Sequence, residues 1–232
     1  MRLGSLLQRL ARGARPCALC AINDSAEGPL CADCERDFVS PLVPRCAVCA
    51  IRLPATAAMV CGACLRHPPH FDATHALGDY APPLDGMVVA LKAGGRLALA
   101  ADFGALLARR AHRIERADVL LAAVPLAFER QAERGFNQAL EIARRAARDL
   151  AVPLDADALL RVRHAAPQHE LALAARRRNV RGAFAVRADV RGRHVLVVDD
   201  VMTTGSTLDE IAAVLKQAGA ARVTNLVVAR TP

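Results

Sequence analysis

The chain has 232 residues, 53% of them hydrophobic, and a formal charge of +8. That length accommodates one medium domain and a small module, and no stretch is long and charge-free enough for a transmembrane helix. Eight cysteines with no secretory signal argue against a disulfide framework, so the expected setting is a reducing cytoplasm without stable membrane insertion.

Residues 1–15 place Leu3, Leu6, Leu7 and Leu10 on one helical face, with Arg2, Arg9, Arg12 and Arg15 elsewhere. The pattern predicts a short helix packed on the module that follows; a transit peptide or a membrane-surface helix would share it. Residues 16–65 are too poor in large apolar side chains to build a core, and small ribbons of this kind fold on metal. Four Cys-x-x-Cys knuckles punctuate them: Cys17/Cys20, Cys31/Cys34, Cys46/Cys49 and Cys61/Cys64. Two intervening residues let both sulfurs reach one tetrahedral Zn²⁺, so four knuckles predict two structural zinc sites. The simplest grouping puts Cys17, Cys20, Cys31 and Cys34 in one site and Cys46, Cys49, Cys61 and Cys64 in the other; an alternating grouping is also open. A thioredoxin-like role needs only one such motif, and an iron–sulfur cluster is the minor competitor.

Residues 1–75 carry eight Lys/Arg and six Asp/Glu. Two Zn²⁺ on eight thiolates make this module slightly negative, which suits a structural or partner-docking role better than a grip on nucleic acid. Residues 66–72 read as a linker, with His67 and His70 in it rather than on a metal.

From residue 73 to 232 the pattern is α/β. Strands are expected over Ala73–Tyr80, Asp118–Val124, Leu159–Arg163, Phe184–Val186, His194–Val198 and Arg222–Ala229. Helices are expected over Leu84–Lys92, Leu97–Ile114 and Phe136–Leu150, with Glu170–Arg178 as helix or ordered loop. The alternation predicts a mostly parallel sheet flanked by helices, with ligands beyond the carboxyl ends of its strands.

Residues 195–207 are the most informative segment. Val195–Val198 suit a strand buried on both faces. Asp199 and Asp200 follow where that strand is expected to leave the sheet, and then a hydroxyl-rich turn, Thr203, Thr204, Gly205, Ser206 and Thr207. A helix pattern (Leu208, Ile211, Ala212, Val214, Leu215) comes next, with Gly219 as its cap. Free N–H groups and the positive end of the helix dipole make such a turn an anion site, and Gly205 lets backbone approach a phosphate. The paired acids suit ribose hydroxyls, directly or through Mg²⁺. There is no Gly-Lys-Ser/Thr and no Gly-x-Gly-x-x-Gly. The segment resembles the phosphoribosyl-pyrophosphate (PRPP) signature of type I phosphoribosyltransferases.

The chain as a whole resembles the ComF family, double-zinc-ribbon competence proteins with a phosphoribosyltransferase domain. The matching segments run nearly end to end: the knuckles, Leu91–Gly95, Val124-Pro125-Leu126, Arg134-Gly135-Phe136-Asn137-Gln138, Gln168 with Arg178-Asn179-Val180, and Asp199–Thr207. The resemblance implies a PRPP-binding domain and, in bacteria, a link to uptake of single-stranded DNA during natural transformation. It implies that Asp199 and Asp200 bind the ribose hydroxyls and that Thr203–Thr207 cradle the 5′-phosphate. The turn at Val124–Leu126 would meet pyrophosphate, with Lys92, Arg130, Arg134 and Arg178 as cations for its departure with Mg²⁺. Arg176–Arg178 and Arg181 would form a basic flap. Asn137 is either part of this site or a structural residue of the first helical turn.

Two readings of function follow. One is a PRPP-dependent transferase with an unknown acceptor, because no base-reading loop or general base stands out. The other is a non-catalytic PRPP-sensing adaptor that binds single-stranded DNA or a helicase-like competence protein. Residues 76–232 carry 23 Lys/Arg against 17 Asp/Glu, which favours contact with phosphates. The absence of Trp, with one Tyr and six Phe, disfavours base stacking.

Overall fold

The computed structural model describes residues 15–25, 29–39, 43–55, 59–162 and 181–232. The helix expected over residues 1–15 lies outside them, Arg15 apart, as do Gln168, the segment Glu170–Arg178, Asn179 and Val180.

Four strands form one all-parallel sheet: β3 (Ala73–Asp79), β4 (Val119–Ala123), β7 (His194–Met202) and β8 (Arg222–Arg230), in the order β3-β8-β7-β4. The β-branched runs put Val195, Val197, Val198, Val223, Val227 and Val228 completely out of water, as expected of a sheet covered on both faces. One face carries Leu77, Leu121, Leu196 and Leu226. It packs against α3 (Leu84–Gly94), α4 (Leu97–Arg110) and α6 (Gln138–Leu150). The other face carries Ala76, Leu120, Val195 and Val227 and packs against α7 (Ser206–Gln217). A separate antiparallel pair, β5 (Leu159–Arg161) with β6 (Phe184–Val186), adds Leu159 and Phe184 to that second core.

Helix α4 crosses α6 at Gly104, where an added Cβ would lie 2.5 Å from the Ile142 carbonyl oxygen and 2.7 Å from Arg145 Cβ. The near atoms are backbone and a Cβ, which cannot swing away. Gly104→Ala is therefore expected to destabilise the chain by about 1–3 kcal/mol, read as a lower urea midpoint at unchanged slope.

The cysteine segment is a structural duplication. Each half is a small two-stranded or bridged turn followed by a short helix that starts on a cysteine. The first half has β1 (Arg15–Pro16) paired with β2 (Asp24–Ser25), then α1 (Ala32–Phe38) capped by Cys31. The second has an Arg45–Arg52 bridge, then α2 (Gly62–Arg66) capped by Cys61. Ala21 and Ala50 occupy equivalent positions, each left-handed (φ 54° and 56°) just after the second cysteine of a knuckle.

The two halves pack on opposite faces of the sheet. Cys17, Cys31 and Cys34 join the core of α3 and α4, and Cys46 and Cys49 join the core of α7. They meet around β3, the edge strand: Thr74 N–H donates to Ala47, and the Phe38 carbonyl lies against Gly78. Covering β3 hides an edge that would otherwise pair with another chain.

Several boundaries differ from the sequence expectation. Strand β7 continues through both acids to Met202, because Asp199 and Val201 keep their register with Val227 and Ala229. The segment after β4 contains α5 (Phe128–Arg134), which no strong periodicity announced. Helix α4 stops at Arg110, β5 stops at Arg161, and α6 begins only at Gln138, after its Asn137 cap. Among the described residues no helix is long and apolar enough to cross a membrane.

Candidate functional site

Because all four strands run parallel, their carboxyl ends share one rim. Strand β7 ends there with Asp199 and Asp200 near its last residue, Met202, and the turn that begins at Thr203 lies next to the turn after β4; Val124 N–H donates to the Val198 carbonyl at 2.9 Å and joins the two. The structure thus brings the signature and the Val124–Leu126 turn side by side.

Asp200 is only 4% exposed. Lys92, from α3, places Nζ 2.9 Å from Asp200 Oδ2 as an ion pair. Beyond this ion pair Oδ2 has no hydrogen bond, so it retains capacity for a ligand. Asp199 keeps a partly exposed edge, and its Oδ1 accepts from Asp200 N–H at 2.8 Å. Desolvation first, and then the Asp200 carboxylate, raise Asp199 well above the usual carboxylate range; the Asp200 N–H and Lys92 oppose this.

A raised folded-state value stabilises the protonated chain at low pH, and that contribution is lost as pH rises through it. Asp199→Asn removes the burdened charge. It should raise the melting temperature of the ligand-free protein by a few degrees near neutral pH. The gain should vanish near about pH 4, where an unfolded aspartate also becomes protonated. A series of thermal melts across that range measures both ends.

After the acids, Gly205 turns left-handed (φ 80°) to cap α7, and its added Cβ would sit 2.6 Å from Met202 Cε. Thr204 Oγ1 lies 2.8 Å from Ser206 Oγ and accepts from Ser206 N–H. Thr203 is exposed, while Ser206 and Thr207 form the first turn of α7. Hydroxyls and free N–H groups at the start of a twelve-residue helix can cradle a phosphate.

Opposite, Asn137 uses both ends of its amide within the chain. Oδ1 accepts from Ala139 and Leu140 N–H, and Nδ2 donates to the Val124 carbonyl at 3.0 Å. It caps α6 and fixes the turn rather than presenting free polar atoms. Pro125 and Leu126 line a cavity of about 320 Å³ with Phe128 and Arg161. Lys92 and Arg134 line another of about 450 Å³, where Arg134 donates to Gln138 Oε1. Arg130 is exposed on α5, one turn before Arg134, and is not among the residues that line this cavity. Arg178 lies outside the described residues.

The cysteines resolve the grouping question. Cys17, Cys20, Cys31 and Cys34 form one cluster, and Cys46, Cys49, Cys61 and Cys64 the other, with sulfurs within 4.8 Å of one another. Cys20 and Cys31 sulfurs are 3.9 Å apart, and Cys49 and Cys61 sulfurs 3.7 Å apart. A tetrahedron with Zn–S bonds of about 2.3 Å has edges of about 3.8 Å, so both clusters fit a four-thiolate metal. Backbone N–H groups also prepare thiolates. Burial pushes the Cys17 thiol up, but amides of Cys20 and Cys31 outweigh it and bring it to about 6. Those of Cys49 and Cys61 bring Cys46 to about 7 against the same burial penalty. Burial drives Cys34 and Cys64 upward. Among the described residues, neither cluster includes a histidine. His70 binds Asp209 of α7 through its N–H at 2.7 Å and Nδ1 at 3.0 Å.

Sequence reasoning missed Arg230, the last residue of β8. It is 8% exposed, and its guanidinium donates to the carbonyls of Cys49 (3.0 Å), Met202 (3.3 Å), Thr203 and Thr231. One side chain thus ties the second cysteine cluster to the start of the signature loop. Beside it, Cys61, Cys64, Phe71, Gly205 and Ser206 share the lining of a cavity of about 230 Å³. A terminal arginine on an apolar strand was the signal, but its acceptors come from distant segments.

Comparison with known proteins agrees with this arrangement. Residues 137–232 match the phosphoribosyl transferase domain model. The DNA utilization protein YhgH of Escherichia coli K12 is 38% identical over 203 residues, covering 84% of this chain and 87% of that protein. Competence protein F of Haemophilus influenzae is 32% identical over 203 residues, with the same coverage of 84% and 87%. Among solved structures, glutamine PRPP amidotransferase from B. subtilis is similar with a TM-score of 0.39 and 24% identity, over 55% of this chain and 25% of that one. The chain belongs to the ComF family, and joins a type I phosphoribosyltransferase fold to two four-cysteine groups that could form zinc ribbons.

Proposed function

We propose that the carboxyl rim binds PRPP with Mg²⁺ and transfers its phosphoribosyl group to an acceptor. The observation that carries this reading is Asp200 Oδ2, buried, ion-paired with Lys92 and without a hydrogen bond, beside the hydroxyl-rich start of α7. In this reading residues 16–65 form the double zinc ribbon, 66–72 the linker and 73–232 the transferase-like domain, in a reducing cytoplasm.

Asp199 and Asp200 hold the ribose hydroxyls, and Thr203, Thr204, Gly205, Ser206 and Thr207 hold the 5′-phosphate. Val124 and Pro125 shape the pyrophosphate subsite, with Lys92, Arg130, Arg134 and Arg178 supplying positive charge and Asn137 fixing the turn. Lys92 neutralises Asp200 until the ligand arrives, then faces the leaving group. The two acids would hold Mg²⁺ with the ligand, and the ion would offset charge on pyrophosphate. The bond from the anomeric carbon to pyrophosphate oxygen breaks, and its electron pair leaves with pyrophosphate. A lone pair of the acceptor forms the new bond at that carbon, and the acceptor's proton passes to water. Positioning and electrostatics do the catalytic work.

A second reading, a PRPP-sensing adaptor for single-stranded DNA or a helicase-like partner, is favoured by the names of the relatives, DNA utilization protein and competence protein F. Phosphorus NMR of PRPP, Mg²⁺ and a nucleobase panel separates the two. Pyrophosphate release by wild type, lost in Asp200→Asn, supports transfer. PRPP that binds but persists with every acceptor supports the adaptor. PRPP neither bound nor consumed by the folded, zinc-loaded protein contradicts both.

A further inference from the structure

The amino end of the sheet, opposite the signature loop, carries a second concentration of anion-binding groups. His75 of β3, His194 of β7 and Arg222 and Thr224 of β8 all project from the face covered by α4, by the alternation of the strands. The end of α4 and the turn beyond it add Arg110 and Arg113. These side chains line a cavity of about 510 Å³, with Glu115 as the one carboxylate in its wall.

Among the described residues, the arginines there, Arg110, Arg113 and Arg222, have no ion-pair partner. Arg110 is half-buried and makes one hydrogen bond, to the Ala76 carbonyl at 3.3 Å. The nearby acid Asp72 is already taken by Lys216 at 2.8 Å and by Val223 N–H at 2.7 Å. His194 Nε2 lies 2.9 Å from Thr224 Oγ1, which orients the ring. Burial first, and neighbouring arginines second, hold His75 and His194 below the ordinary histidine value. Burial likewise lowers Arg110, and Arg45 adds to this. Grouping cations without counter-charge destabilises a fold, and a bound anion would reverse the sign.

We propose that this cavity is a second anion site, which takes the phosphate monoester of a nucleotide or of a DNA strand end. Three guanidinium forks and two imidazoles offer more donors than a carboxylate can accept and suit a dianion with three terminal oxygens. The volume falls within the range of about 300–1,000 Å³ seen for small-molecule sites and exceeds what a bare phosphate needs. The proposal stands apart from the PRPP reading, since no residue is shared.

Calorimetry on the full, zinc-loaded chain tests it, with inorganic phosphate, adenosine monophosphate, and an oligothymidylate with and without a 5′-phosphate as probes. Arg113→Gln/Arg222→Gln is the informative variant, because both side chains are exposed and the fold should persist. The expected result is phosphate-monoester binding that weakens about tenfold or more in the variant, a loss of about 1.4 kcal/mol or greater. That binding should also tighten as pH falls and the histidines take up protons. Preference for adenosine monophosphate identifies a free nucleotide, and preference for the phosphorylated strand identifies a DNA end; each upholds the site. Monoester binding that is absent, or unchanged in the variant, overturns it.

Discussion

Replacing Arg230 with alanine is expected to destabilise the protein by about 3–5 kcal/mol, the cost of breaking a buried charged hydrogen-bond set. Four carbonyls lose a donor at once, although that of Met202 keeps the Thr231 N–H at 3.0 Å. Two of them, on Met202 and Thr203, lead into the hydroxyl-rich signature loop, and one belongs to the Cys49 knuckle. The effect should therefore exceed lost stability: affinity of the remaining folded protein for Mg²⁺ and PRPP should fall about tenfold, equivalent to about 1.4 kcal/mol. Arg230→Lys keeps the charge without the planar fork and should retain only part of both. Urea unfolding gives the first quantity and titration at low temperature the second. Wild-type stability in Arg230→Ala would show that the seam tolerates unpaired carbonyls.

Loss of metal from the second cluster should have the other large effect. Structural zinc supplies about 10–16 kcal/mol of apparent binding energy in small four-ligand sites, and residues 43–55 and 59–66 have little core of their own. Cys64→Ser should release one equivalent of metal, detected with a chromogenic chelator, and lower the melting temperature sharply. It should also weaken PRPP binding, because the Cys49 carbonyl that anchors Arg230 would lose its frame. Cys20→Ser, on the other face of the sheet, should release metal with a smaller effect on PRPP, since no hydrogen bond runs from that half to the signature loop among the described residues. Equal loss of PRPP affinity in both variants would mean that the halves act only as a single clamp on the fold.

Local chemistry was readable in advance. The knuckles announced two four-cysteine groups because ligand spacing is a short-range property. The apolar run before Asp199 announced a buried parallel strand, and the hydroxyl-rich turn announced a helix start. What stayed hidden depends on contacts between distant segments. Nothing local in Arg230 tells that its acceptors lie at Cys49, Met202 and Thr203. Cysteine spacing permitted two groupings, and only the packing of each half on its own sheet face separates them. Asp199 and Asp200 were expected beyond the strand, but pairing with β8 carries regular structure to Met202. The short helix at Phe128–Arg134 escaped because seven residues carry little periodicity. Asn137 shows the limit of residue type as evidence: the same amide that suits a ligand is consumed by a helix cap and a turn carbonyl.

The most direct test of the central claim is calorimetric titration of the zinc-loaded protein with PRPP and Mg²⁺, beside Asp199→Asn/Asp200→Asn. The account predicts one saturable site in the wild type, lost without Mg²⁺ and lost in the double variant, while zinc content and fold are retained. Equal binding in both proteins, or no binding by a folded and zinc-replete wild type, would contradict it.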